Sequence, residues 1–104
     1  MVNTLVVDID DIKTVGMISA VLHAYIENRI ILAKEWANDK QISLSEDEKL
    51  DSEGYLLLSK KEICDNLGLS YVRQKSALTT LVNNGSVKVK RTKTTPVRIA
   101  YKIK

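Results

Sequence analysis

An α+β fold is predicted by three observations. Apolar residues recur at helical spacing over residues 14–38 and 71–83, and they alternate at period two over 87–103. Serines stand where two of the helices must begin, and glycines stand just past where they must end. Charge is segregated along the chain. Residues 55–104 carry eleven basic side chains (Lys60, Lys61, Arg73, Lys75, Lys88, Lys90, Arg91, Lys93, Arg98, Lys102, Lys104) against Glu62 and Asp65, a net +9, whereas residues 1–54 carry a net −6. The overall +3 therefore hides a dipolar molecule with one strongly basic half, the electrostatic footprint of a nucleic-acid face.

The elements follow in order. Residues 2–9 read as a short strand or an extended arm, and Asp10-Asp11 as the start of a helical turn. The first main helix is expected over residues 14–38, where Ile18, Leu22, Tyr25, Ile26, Leu32 and Trp36 recur at spacings of three and four. Val21, Ile30 and Ile31 widen its apolar surface beyond one stripe, which predicts either two packing neighbours or a homodimer formed through this helix. Residues 39–54 form an acidic loop, with five acids between Glu46 and Glu53. The run Gly54-Tyr55-Leu56-Leu57-Leu58 predicts a brief strand.

A helix-turn-helix is expected over residues 59–84. Ser59-Lys60-Lys61-Glu62 matches the capping box, in which the Ser hydroxyl and the Glu carboxylate each satisfy an orphan backbone donor. Ile63 and Leu67 face inward at i, i+4, and Gly68 permits the left-handed residue that ends this helix. Ser70 caps the next, whose inner face is Ala77, Leu78 and Leu81, and Asn84-Gly85 stops it. Residues 86–104 then read as a half-buried hairpin. Val87 and Val89 alternate with Lys88 and Lys90, and Ile99, Tyr101 and Ile103 alternate with Arg98, Ala100 and Lys102. Its loop, residues 92–96, is the wing. The whole chain is thus one winged helix-turn-helix domain: three main helices, a small β-sheet and a C-terminal wing hairpin.

Several classes are excluded. A chain of 104 residues supports a single core, and its longest apolar runs are far too short to span a bilayer. The acidic N-terminus lacks the basic start of a signal peptide, so a cytoplasmic location is expected. One cysteine, Cys64, cannot form an internal disulfide, and with a single histidine no zinc-ligand set exists. The acids at Glu46, Asp47, Glu48, Asp51 and Glu53 lack the glycine-centred spacing of a calcium loop. No metal, cofactor or small-molecule substrate is therefore expected. No nucleophile–base pair or phosphate loop appears, which argues against an enzyme. His23 is read as a helix residue without catalytic role, Cys64 as a small buried residue, and Trp36 as core or interface.

These residues resemble the winged-helix DNA-binding domains of plasmid and phage replication initiators, including the N-terminal domain of the plasmid replication initiator A family. The resemblance is carried by Tyr25-Ile26-Glu27-Asn28-Arg29-Ile30-Ile31-Leu32, by Asp51-Ser52-Glu53-Gly54-Tyr55 with the Leu-Leu-Leu-Ser run, and by Glu62-Ile63. Leu67-Gly68-Leu69-Ser70, Arg73-Gln74-Lys75 and residues 96–103 complete it. It covers most of the chain and implies double-stranded DNA as partner, in replication initiation or transcription regulation. Since the sequence stops directly after the wing, it implies the DNA-binding domain alone. Gln74 and Ser86 depart from the pattern, standing where such domains carry aliphatic residues, and both are expected to weaken packing of the recognition helix.

With Ala77, Leu78 and Leu81 inward, a rotation of about 100° per residue puts Val72, Ser76, Thr79 and Asn83 outward, flanked by Arg73, Lys75 and Thr80. The first turns of a recognition helix lie deepest in the major groove, so Tyr71, Val72, Lys75, Ser76 and Thr79 are the expected contacts to base edges or nearby phosphates. Tyr71 serves either there or as cover for the core. Arg73 suits a guanine or a phosphate equally. Arg91, Lys93, Thr94, Thr95 and Arg98 are expected to set the wing along the backbone or in the adjacent minor groove. The competing reading is a protein-interaction module, for example a phage-encoded inhibitor of a host protein, docking through the same helix.

Overall fold

The computed structural model describes residues 7, 9–37, 50, 51, 53–91 and 99–103. Four helices and a three-stranded antiparallel sheet are built in the order α1 (Ile9–Val15), α2 (Met17–Ala37), β1 (Leu56–Leu57), α3 (Lys60–Leu67), α4 (Tyr71–Asn83), β2 (Val87–Arg91) and β3 (Ile99–Ile103). This is an α+β architecture compatible with a winged-helix-like fold.

The first helix departs from its expected start. The apolar spacing predicts one helix over residues 14–38, but Gly16, at φ 87°, divides the segment. Its N–H closes α1 on the Ile12 carbonyl at 2.9 Å, while its own carbonyl already accepts the Ala20 N–H that opens α2. A single left-handed residue thus joins two helices, and Thr14 belongs to α1, where its hydroxyl donates to the Asp10 carbonyl. Ile9 is helical rather than part of an arm. Residues 2–6 and 8 lie outside the described residues, as does Asn38.

α2 carries the centre of the core. Leu22, Tyr25, Ile26, Ile30 and Ala33 are buried, a stripe at steps of three and four, and Ile26 is wholly inaccessible. Leu22, Ile26 and Ile30 each contribute roughly 1.5–3 kcal/mol by leaving water. The inner face differs from the expected one at its edges: Ile18 is exposed, and Leu32 and Trp36 are half-buried. α2 packs against both α4 and β3, so the wide apolar surface has the two neighbours that its composition demanded.

Asp51 builds the approach to β1. Its Oδ1 accepts the N–H groups of Glu53 and Tyr55 at 2.8 and 2.9 Å, and Gly54 turns the chain at φ 87°. β1 then pairs with β3 through Leu56–Tyr101 and Leu57–Ala100, and β3 pairs with β2 from Val87–Ile103 to Arg91–Ile99. The sheet order is β1-β3-β2. β3 is central, which is why Ala100 and Tyr101, pointing to opposite faces, are both buried.

Both helices after β1 start and stop where the sequence puts their caps. Ser59 Oγ accepts the Glu62 N–H at 3.0 Å and Ser70 Oγ that of Arg73 at 3.3 Å. Gly68, left-handed at φ 71°, donates its N–H to Cys64. The second half of the capping box is replaced: the Glu62 carboxylate is taken by Arg29 of α2, 3.0 Å away. Tyr25 adds a long hydroxyl contact to the same carboxylate and accepts from Asn66 Nδ2 at 2.9 Å, which bolts α2 to α3. Burial above all pushes the Tyr25 phenol up from its ordinary value.

Candidate nucleic-acid interface

The inner face of α4 is Gln74, Ala77 and Leu81, with Leu78 half-buried beside them. Gln74 corrects the expectation of weakened packing. It is 5% exposed, and its Nε2 donates to the carbonyls of Lys60 and Leu69 at 3.0 Å each. One amide therefore ties the start of α3, the turn and α4 together, a task that an aliphatic side chain cannot perform. Because both partners are carbonyls, the amide orientation is fixed and Oε1 is left buried without a partner. Ser86 is also accommodated: its N–H donates to Leu81 and its Oγ accepts from Asn84 Nδ2 at 2.9 Å, completing the end of α4.

The outer face of α4 is open to solvent as expected. Tyr71, Val72, Arg73, Lys75, Ser76, Thr79 and Thr80 are all exposed. Tyr71, at 53% exposure, does not cover the core. Thr79 and Thr80 spend their hydroxyl protons on α4 itself, donating to the Lys75 and Ser76 carbonyls at 2.8 and 3.2 Å. What they offer a partner is a methyl group and acceptor lone pairs. The dipole adds to the side chains, since the N-terminal turn of α4 carries no acid and its remaining backbone donors favour an anion.

Strand parity divides the basic residues of the sheet between two sides. Val87, Val89 and Arg91 share one face of β2, Lys88 and Lys90 the other. Arg91 lies on the α4 side, where it lines a cleft of about 360 Å³ between α4 and the β2–β3 hairpin, together with Lys60, Lys75 and Thr79 over a floor that includes Leu78 and Tyr101. Desolvation pushes the Tyr101 phenol up to about 12, so this floor stays uncharged.

Lys90 points away and is neutralised. It forms an ion pair with Asp51 and lies 3.6 Å from Glu53. Its hydrogen bond holds the Asp51 carboxyl at about 2, below the ordinary 3.8, and Lys90 is in turn raised. Its ammonium also sits 4.5 Å from the centre of the Tyr55 ring, with that of Lys102 at 5.7 Å on the same ring. The +9 of the second half is thus not all presented on one surface. These pairings, which sequence reading missed, join residues from the acidic and basic halves and leave no local pattern.

Of the expected wing contacts, Lys93, Thr94, Thr95 and Arg98 lie outside the described residues, as does the loop 92–96. The same holds for Glu46, Asp47 and Glu48 of the acidic loop. Cys64 is half-buried, more open than expected. Ile30, one of the residues expected to drive self-association, is buried in the core and unavailable, whereas Ile31 is 46% exposed. His23 is half-buried with its Nε2 4.0 Å from Glu27. Among the described residues no group of three His, Cys, Asp or Glu side chains could hold a metal ion, and no helix is long and apolar enough to cross a membrane. No family model, no curated protein and no solved structure matches the chain.

Proposed function

We propose that this chain is a winged helix-turn-helix protein that binds double-stranded DNA, with α4 as recognition helix and β2–β3 as the wing, serving plasmid or phage replication initiation or transcription regulation. One observation carries the reading: Lys75 of α4 lines the same cleft as Arg91 of β2, Arg73 is exposed on the other flank of the open face of α4, and none of the ion pairs among the described residues engages these three. A helix end free of acids, flanked by unneutralised cations and backed by a rigid amide tie, fits a phosphate-lined groove.

Selection from a random duplex pool, followed by salt titration, tests it. Binding to phosphates makes log K fall steeply with log salt. Lys75→Ala is expected to cost about 1–3 kcal/mol and relax preference at one position, whereas Lys93→Ala weakens all sequences alike and lowers the salt slope by about one. Equal, sequence-blind losses would reduce the protein to a nonspecific binder. Failure to enrich any duplex would favour the protein-interaction reading.

A further inference from the structure

Val72 is the most exposed large apolar side chain among the described residues, at 79%, and Tyr71 beside it is 53% exposed. Valine is a mediocre helix former, and in this position it buries nothing within the fold. It stands second in α4, in the turn that would enter deepest into a groove. Along its face lie Lys75, Ser76 and Thr79, at i+3, i+4 and i+7.

Between the flanking cations Arg73 and Lys75, that face offers purine edges few free donors beyond the Ser76 hydroxyl. The hydroxyl protons of Thr79 and Thr80 are committed to α4 carbonyls, and Gln74, an amide otherwise suited to adenine, is buried with its Nε2 committed to Lys60 and Leu69. Asn83 stands at the far end of the helix. Apart from the Ser76 hydroxyl, what remains central is carbon: the two methyls of Val72 and the methyl of Thr79. In the major groove the one apolar feature that marks a base is the 5-methyl group of thymine. A protein partner would also accept an apolar side chain, but Arg73 and Lys75 flanking it on α4, with Arg91 across the cleft from Lys75, favour a polyanion.

We propose that α4 reads thymine through its 5-methyl group, with Val72 as the residue that seats it. The proposal rests on the duplex-binding reading above, and its test separates the two. The full chain is used to enrich duplexes from a random pool, and the best duplex is then remade with uracil replacing one thymine at a time, which removes the methyl and leaves every hydrogen-bonding group in place. At one or two positions the wild type should lose about fourfold in affinity, the value of one buried methyl-sized group. Val72→Ser should lose a similar factor on the thymine duplex and nothing further on the uracil one, with unchanged melting because the site is exposed. Val72→Ile should keep the preference.

Indifference of the wild type to every uracil, or a full thymine preference retained by Val72→Ser, would overturn the proposal while leaving duplex binding intact. A pool that yields no enriched duplex and no salt dependence would instead overturn the duplex reading, and this proposal with it, leaving Tyr71 and Val72 as a protein-docking pair.

Discussion

The two faces of the β2–β3 hairpin carry similar residues and do different work. On the α4 side, Arg91 stands with Lys75 and Lys60 around an open cleft. On the other side, Lys90 is held by Asp51 and Glu53, and Lys90 and Lys102 lean on the Tyr55 ring. Counting charge along the chain treats these residues alike. The fold does not, because alternation along a strand assigns neighbours to opposite sides and only one side shares a surface with α4. A basic half of the sequence is therefore split: Arg91 joins the α4 side, whereas Lys90 and Lys102 lie against Tyr55 on the other.

The sharpest way to break this comparison is to loosen the element that holds the α4 side in place. Gln74→Ala removes two hydrogen bonds, leaves the Leu69 carbonyl without its donor and opens a cavity, which together should cost about 2–4 kcal/mol of stability. Chemical denaturation measures it directly. Gln74→Leu refills the volume but restores neither hydrogen bond, so it should recover only part of the loss. Full recovery would mean that packing alone, rather than the amide tie, fixes α4 against α3.

The sequence makes the helix ends around Gly68 readable, because each is decided by a short-range hydrogen bond or a left-handed glycine: Ser59, Gly68, Ser70 and Gly85. The outward face of α4 follows from its inward residues by geometry alone. Gly16 is harder, since apolar spacing continues through it and nothing local distinguishes a tolerated glycine from a break. Gln74 is read as a defect because its residue type is polar, and only tertiary structure supplies the two carbonyls that justify its burial. The pairs Arg29–Glu62 and Asp51–Lys90 are invisible for a related reason: they join side chains brought together by the fold, with no periodic signature.

A smaller effect sharpens the other side of the comparison. Asp51 is ionised more readily in the folded protein, at about 2 against 3.8. A depressed carboxyl favours the folded state above the ordinary value, and this contribution disappears as pH falls from about 4 through about 2. Asp51→Asn preserves the acceptor for Glu53 and Tyr55 while removing the charge, so it isolates the ion pair with Lys90. Melting followed against pH should show the wild type converging on the variant across that window. The difference at neutral pH should be modest, as both partners are partly exposed to solvent. Duplex affinity should be unaffected by the variant.

Lys88 and Arg91 decide the central claim most directly. Both are exposed, both lie on β2, and they fall on opposite faces of it. The salt dependence of duplex binding, measured for Lys88→Ala and Arg91→Ala beside the wild type, should show a slope reduced by about one and uniformly weaker binding for Arg91→Ala, with Lys88→Ala indistinguishable from wild type. Equal losses, or a larger loss at Lys88, would contradict a binding surface formed by α4 and the facing side of the hairpin.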